Sequence, residues 1–431
     1  MKQQIITLLG KGVRAASRLR GGGGSALPGL VIERVDPSFL KRSLSQLVYG
    51  TVLISGTNGK TTTTKMVVEL LESQGLRVFT NRTGSNFTRG IVAAVIESVD
   101  KKGNLPFDIA VLELDEAYAV KFSTQIQPTY SLFLNVLRDQ LDRFGEIDTT
   151  ADMLHTVATR TTRAIVLNRD DPRLGSAHFT DGIKAKIRTF GVSRDLAKQF
   201  PTDDQIHAGT VKNGVMAEQP VGPTDDTCLD SITGKAATIA YDKKRHTVEL
   251  RLKGLFNVQN ATAAVALCRA IVGPQINENK MLQTLQQVQP AFGRGEDIVV
   301  NGQTVELVLV KNPSGFRLSL ASFNAEHVAT MIAINDNYAD GRDMSWLWDV
   351  DFESLAKSGV TTVGGIRAYD MALRLQYDEV EVKYVEPSVP HALEHFLATA
   401  PDMPKRIYCT YTAMLAIRKQ LSKITTVEKV L

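Results

Sequence analysis

One run of residues stands out for its chemistry: Ser55-Gly56-Thr57-Asn58-Gly59-Lys60-Thr61-Thr62-Thr63. A short apolar stretch, Thr51-Val52-Leu53-Ile54-Ser55, precedes it and reads as a strand. From Lys60 to Ser73 the pattern is helical, with Met66, Val67, Leu70 and Leu71 on one face. Strand, glycine-rich turn and helix together make a phosphate-binding loop. The glycines let the backbone turn tightly around phosphates, and the amide N–H groups and the helix N-terminus supply positive potential. Lys60 neutralises the β- and γ-phosphates of a nucleotide, and the Thr61 hydroxyl is placed for Mg2+. The general GxxxxGK[ST] spacing needs a glycine where Ile54 stands, so the loop is a shortened variant. The expected nucleotide contacts are Gly56, Thr57, Asn58, Gly59, Lys60, Thr61 and Thr62, and the expected cofactors are ATP and Mg2+.

Two further strand ends carry polar groups. Glu113, Asp115 and Glu116 follow the apolar stretch Ile109-Ala110-Val111-Leu112. A carboxylate at the end of a strand beside a phosphate loop is where a doubly wound sheet binds its metal and nucleotide. The plain alternative is that these acids cap the next helix. Asn135-Val136-Leu137-Arg138-Asp139-Gln140-Leu141-Asp142-Arg143-Phe144-Gly145 follows the next strand. Alone it is an ordinary charged loop; with the other two it gives consecutive strand ends aimed at one cleft.

The elements that must hold these groups follow an α/β rhythm from Val48 onward. Apolar strands are expected at 77–80, 108–112, 130–134 and 164–167, with helical segments between most of them, which implies a parallel sheet covered on both faces. Residues 179–253 are polar and irregular and read as an insertion or antiparallel appendage. Helical patterning resumes at 257–272 and 277–288. After Gly295 a second α/β unit begins, with strands expected at 305–310, 329–334, 361–365 and 406–410. The division is 1–47, an N-terminal helix and a linker through Gly21-Gly22-Gly23-Gly24-Ser25; 48–300, a central ATP-binding domain; and 301–431, a C-terminal α/β domain.

Composition limits the alternatives. The chain has 431 residues, 43% of them hydrophobic and 22% charged, a soluble globular balance. A net charge of +4 is small for this length and gives no case for nucleic-acid binding. No apolar run approaches the roughly 20 residues that span a bilayer. The short apolar N-terminus is followed closely by Lys11, Arg14, Arg18 and Arg20, unlike a signal peptide, so the expected location is cytoplasmic. Cys228, Cys268 and Cys409 lie far apart without a CxxC pair, which excludes a disulfide framework.

In order along the chain, these motifs resemble the Mur ligase superfamily: Gly-Thr-Asn-Gly-Lys-Thr, the Glu113 strand end, Asn135…Asp139…Asp142…Gly145, Leu167-Asn168-Arg169-Asp170-Asp171-Pro172, Gly254-Leu255-Phe256-Asn257-Val258-Gln259-Asn260 and Gly293-Arg294-Gly295-Glu296. The resemblance implies a Mur ligase-like central P-loop domain with a parallel sheet and a Rossmann-like C-terminal domain. It implies that Glu113 is a magnesium-linked carboxylate, that Asn135 and Asn260 bind the nucleotide, with Asn260 on the adenine, and that Arg294 meets the phosphates. Gln140 stands where the wider family has a histidine, so the usual second magnesium site is left unassigned, as is a carbamylated lysine.

Lys311-Asn312-Pro313-Ser314-Gly315, Asn335-Asp336-Asn337-Tyr338-Ala339-Asp340-Gly341-Arg342-Asp343 and Ser345-Trp346-Leu347-Trp348-Asp349-Val350-Asp351-Phe352-Glu353 are similar to the MurT family, the synthetase subunits of lipid II isoglutaminyl synthase. That likeness implies ATP-dependent amidation of the D-glutamate α-carboxylate of lipid II, and a GatD-type glutaminase partner that supplies ammonia. Many relatives carry a four-cysteine zinc ribbon; here only Cys228 remains in that region, so no zinc site is expected. The likeness also suggests that an acid of the Trp348–Asp351 segment approaches the partner's catalytic site, and Asp349 is the choice over Asp351. Read without it, Asp349 caps a helix starting near Phe352. Two other activities fit the loop alone: a ligase that adds an amino acid or glutamate, and a nucleotide-binding scaffold that activates a glutaminase.

Overall fold

The computed structural model describes residues 2–19, 26–81, 88–138, 147–200, 227–289, 294–323 and 326–427. The glycine run 21–25 and the loop carrying Asp139, Gln140, Asp142 and Gly145 lie outside the described residues. The described chain builds two α/β layers. The first is a nine-stranded sheet in the order β2-β3-β1-β4-β5-β6-β7-β8-β9. Its strands are β1 Thr51–Ser55, β2 Val78–Thr80, β3 Ile109–Glu113, β4 Tyr130–Phe133, β5 Ala164–Asn168, β6 Lys186–Val192, β7 Thr227–Thr233, β8 Ala236–Tyr241 and β9 Lys244–Glu249. Pairing is parallel from β2 through β7 and antiparallel among β7, β8 and β9.

Successive side chains of a strand point to opposite faces, and the sheet buries both. Val52 and Ile54 of β1 pack with α4 (Lys60–Ser73) and with a later helix, Leu255–Val272; Leu53 enters the opposite core. That second core includes Ile91, Val95 and Ile96 of α5 (Thr88–Ser98), Phe122 of α6 (Glu116–Gln125), and Leu154 and Val157 of α7 (Ile147–Arg160). Each fully buried Leu or Ile contributes about 1.5–3 kcal/mol. The N-terminal helices α1 (Lys2–Leu19), α2 (Ala26–Val35) and α3 (Phe39–Leu44) lie on this face: Lys11 Nζ donates to Val99 O at 2.7 Å, and Arg14 pairs with Glu97 at 2.5 Å. After α8 (Ala177–Thr180), the Leu255–Val272 segment is α9 and Glu278–Gln287 is α10. A stretch at Leu255–Gln275 is long and apolar enough to cross a membrane, but 67% of it is buried inside the fold, so it is a core helix.

Residues 179–253 read in the sequence as an insertion or antiparallel appendage; β7–β9 agree with the antiparallel alternative, while β6 belongs to the parallel sheet. β6 continues the parallel sheet, paired with β5 on one side and β7 on the other. Its first half, Lys186-Ile187-Arg188-Thr189, is exposed or half-buried and only Phe190-Gly191-Val192 is buried, so no sustained apolar run marks it. The β7–β9 meander then extends the same sheet, and residues 201–226 lie outside the described residues.

The second sheet has the order β10-β11-β15-β12-β13-β14, with β10 Arg294–Val300, β11 Gln303–Leu309, β12 Ala329–Ala333, β13 Thr362–Gly364, β14 Val385–Glu386 and β15 Lys405–Cys409. Only β10 is antiparallel, and it starts the sheet at Arg294. Helices α11 (Pro313–Ser322), α12 (Ala368–Tyr377), α13 (Val389–Ala398) and α14 (Tyr411–Leu421) cover its faces. Cys268 and Cys409 are buried core residues, while Cys228 lies half-buried in β7.

Candidate nucleotide site at the strand ends

β1 lies between β3 and β4: the chain passes from β1 to β2 at the sheet edge, returns through β3, and then crosses to β4 and onward on the other side. Such a switch point opens a crevice at the C-terminal ends of its strands. Register fixes what meets there: Ile54 is level with Glu113 and Leu132, and Ser55 with Phe133. The phosphate loop after β1, the carboxylate ending β3 and Asn135 after β4 are therefore neighbours.

Asn135 holds the loop. Its carbonyl accepts from Thr57 N at 3.0 Å, its side-chain oxygen accepts from Asn58 N at 2.8 Å, and its amide donates to Asn58 O at 3.1 Å. Thr57 Oγ1 donates to Leu137 O and accepts from Leu137 N. The resemblance assigned Asn135 to the nucleotide; its side chain is engaged with the loop backbone, although the residue also lines the cleft. Gly59 has φ +87°, and a Cβ there would sit 2.5 Å from Asn260 Oδ1, so the loop turns against α9 as only glycine permits. Asn260, 7% exposed, thus stands beside the helix start.

Lys60 is buried, with Nζ 2.6 Å from Gly56 O, 3.3 Å from Thr57 O and 3.2 Å from Asp115 Oδ1. Asp115 is thus the ammonium's ion-pair partner, a role that sequence reading did not separate from helix capping. Thr61 Oγ1 donates to Glu113 Oε1 at 2.8 Å. Two oxygen ligands in adjacent positions around Mg2+ at 2.0–2.1 Å lie about 2.9 Å apart, so this pair fits two neighbouring corners of an octahedral ion. Asn81 fixes the β3 end: Glu113 N donates to Asn81 Oδ1 at 3.0 Å, and Asn81 Nδ2 to Glu113 O at 2.9 Å. Thr62 also lines the cleft. The Arg294 side chain lies outside the described residues; its backbone is level with Val308 in β10–β11.

The cleft continues from Asn58, Gly59 and Asn260 to Pro172, Phe200 and Phe256, and is closed by Lys311, Gly315, Leu318 and Ser319 of the second domain. Asp171 supports its floor, accepting from Val136 N at 2.7 Å, Arg173 N at 3.0 Å and Leu174 N at 3.1 Å. Only its place in the Asn168–Pro172 motif marked it in the sequence.

Asp349 is not in this cleft. It ends a short 3-10 turn, Ser345–Asp349, on the second domain; it is exposed and makes no hydrogen bond or ion pair among the described residues. Asp351, by contrast, is engaged locally: its Oδ1 accepts from Glu353 N at 2.9 Å, and the N-cap of the next turn is Phe352. The adjacent Trp348 packs edge-on to Tyr377, with ring centroids 5.1 Å apart. Arg374, which donates to Val350 O at 2.5 Å, lies 5.6 Å from the Trp348 ring. Tyr377 continues an exposed stripe along one face of α12 through Leu373 and Tyr369, with the exposed Ile366 just ahead of the helix.

The site and fold define a class, the ATP-dependent ligase of the Mur type. Residues 54–268 match the Mur ligase middle domain, and residues 309–414 the MurT ligase C-terminal domain. MurF from Acinetobacter baumannii superposes with a TM-score of 0.67 at 17% identity, covering 94% of this chain and 81% of that one. MurF from Thermotoga maritima in complex with ADP gives 0.64 at 15%, covering 90% and 84%. The subunit MurT of lipid II isoglutaminyl synthase (glutamine-hydrolyzing) from Staphylococcus aureus (strain COL) is 31% identical over 98% of both chains. Its counterpart from Streptococcus pneumoniae (strain ATCC BAA-255 / R6) is 30% identical over 95% of both. The chain belongs to the MurT family.

Burial raises the Asp171 pKa from 3.8 to about 6, against the lowering pull of its backbone donors. The folded chain thus holds this proton more tightly than the unfolded chain. The contribution to stability is full below pH 3.8 and is lost as pH rises through about 6. Asp171→Asn cannot titrate, so the wild type loses about 3 kcal/mol relative to the variant across that window. Urea unfolding at each pH reads this slope; a flat difference means that Asp171 stays ionised throughout.

Proposed function

We propose that this chain is the synthetase subunit of a lipid II isoglutaminyl synthase. It transfers the γ-phosphate of ATP to the α-carboxylate of D-glutamate in the lipid II stem peptide, releasing ADP. Ammonia attacks the acyl carbon, phosphate leaves with the C–O bond, the nitrogen loses a proton, and D-isoglutamine forms. The observation that carries this reading is the family's two-domain pattern across the whole chain, together with an intact phosphate loop in which Lys60 pairs with Asp115 and Thr61 with Glu113, next to a cleft lined by Asn58, Gly59 and Thr62.

The chemistry suits these residues. A carboxylate is a poor electrophile until phosphate becomes its leaving group, and two anions must meet for that transfer. Lys60 exchanges its carbonyl and Asp115 contacts for phosphate oxygens and offsets their charge. Thr61 and Glu113 hold magnesium, which supplies further charge neutralisation when bound. Pro172, Phe200 and Phe256 offer an apolar seat for adenine, with Asn260 beside it, and Arg294 serves the phosphates. The wall from Lys311 to Ser319 keeps water from the acyl phosphate.

Ammonia is mostly protonated at neutral pH, which favours local delivery by a GatD-type glutaminase. The stripe Ile366, Tyr369, Leu373 and Tyr377 with Trp348 suits docking of that partner, because exposed aromatic side chains of this kind are rare outside interfaces. Asp349 at its edge, with no local bond, is available to orient the partner's catalytic histidine. The chain works in the cytoplasm at the inner face of the membrane, where the lipid-linked substrate is presented. Leu8 and Leu9 of α1 are exposed and in keeping with such contact.

The first test is ADP release by the purified chain with lipid II and ammonium chloride, without a partner. The expected product differs from substrate by NH2 in place of OH, read by mass. ADP release that depends on an added amino acid overturns the assignment. In the complex, Asp349→Ala lowers glutamine-driven amidation at least about a hundredfold relative to ammonium-driven amidation; an unchanged ratio removes Asp349 from the partner's chemistry.

A further inference from the structure

The buried Asn312 does two jobs with one amide. Its Oδ1 accepts from Gly315 N at 2.8 Å and so caps α11, with Pro313 in the first turn. The same group reaches the phosphate loop, 254 residues away in the chain: Asn312 Nδ2 donates to Asn58 Oδ1 at 3.1 Å, and Asn58 Nδ2 donates to Asn312 Oδ1 at 3.3 Å. This is a reciprocal amide pair between the two domains. On the other side of Asn58, its backbone N–H and C=O are both held by the Asn135 side chain. Three asparagines therefore connect the end of β4, the phosphate loop and the first turn of α11.

Capping needs only an acceptor, which Asp, Ser or Thr also provides. Pairing with Asn58 needs a donor and an acceptor together, at the reach of an amide. The side chain at 312 thus exceeds what its helix requires, and the excess is directed at the loop beside Lys60. We infer that Asn58 and Asn312 form a positioning pair, which couples seating of the second domain to the geometry of the phosphate loop during phosphoryl transfer. The inference rests on the ATP-dependent ligase reading. Neither side chain is a reacting group. When the domain is seated, the pair fixes the Asn58 side chain, and the Lys311–Ser319 wall closes on the same cleft. When it swings away, both amides can be met by water, so opening costs little.

The test is a double-mutant cycle in the complex with the glutaminase subunit, using Asn58→Ala, Asn312→Ser and both together. Serine keeps a capping oxygen but is too short to reach Asn58, and it adds no charge near the phosphates. Turnover of lipid II with ammonium chloride, ATP affinity by calorimetry and thermal melting are read on each protein. Each single variant is expected to lose about tenfold in kcat, the scale of a lost pair of neutral hydrogen bonds. ATP affinity stays near wild type in Asn312→Ser, and the double variant is no slower than the singles. Wild-type kcat in either single variant, or losses that multiply in the double, overturns the pair, since a helix cap alone acts independently of Asn58. Asn58→Ala leaves the cap untouched, so it decides the matter if Asn312→Ser melts early. Absence of ATP binding by the wild type is a different failure, that of the ligase reading itself.

Discussion

A phosphate loop must be both irregular and rigid, and here that conflict is resolved by one residue. Donors can point at an anion only if the backbone leaves strand and helix geometry, and a free turn of glycines has many conformations to lose. Asn135 removes that freedom. It accepts from the N–H groups of Thr57 and Asn58 and donates to the Asn58 carbonyl, so the first half of the loop is bonded as fully as a strand. Anion recognition then falls to the start of α4, where the first N–H groups of a helix have no partner within it. The division is physical: one half of the loop is fixed so that the other half can bind.

That clamp works because of the sheet around it. β4 must lie directly beside β1 for Asn135 to meet Thr57, and β3 must lie on the other side for Glu113 to meet Thr61. Alternating burial on both faces sets the register, and a slip of one residue would turn Leu53 and its neighbours into the wrong core. The chemistry at the strand ends is therefore held by apolar residues that never touch a ligand. Asn81 and Asp171 act at the next remove, securing the backbone that carries Glu113 and the residues after Asn135.

This explains what the sequence disclosed. The phosphate loop, the Glu113 strand end and the apolar strands were legible because each is a local pattern. β6 was not, since half of it is exposed and its partners are supplied by distant segments. The motif that contains Asn135 was visible, but not that its amide faces the loop backbone, which is a property of register. In the sequence Asp115 stands among the acids of a metal- and nucleotide-binding strand end, with helix capping as the alternative; only packing reveals Lys60 next to it. The resemblance alone favours Asp349 over Asp351, and only the structure shows Asp351 engaged by Glu353 N. Asn312 was marked only by its place in the Lys311–Gly315 motif, because its second partner lies in the other domain.

The choice of neutral amides between the domains has its own logic. A lysine or arginine at the Asn312 position would compete with Lys60 for phosphate, and a carboxylate would repel the phosphates that the cleft must admit. An ion pair would also carry a large desolvation cost each time the domains closed and recovered it only with near-perfect geometry. Two amides offer directional bonds with modest net energy, and water replaces either partner on opening. Domain closure held this way is specific in register yet easily reversed, which suits a cleft that must exclude water from an acyl phosphate and then release its products. Lys60 with Asp115 and Thr61 with Glu113 place charge at the strand ends. At the phosphate loop the contact between domains is left to neutral amides, while the ion pairs of Lys253 with Asp297 and Glu306 join the domains outside the lining of the cleft.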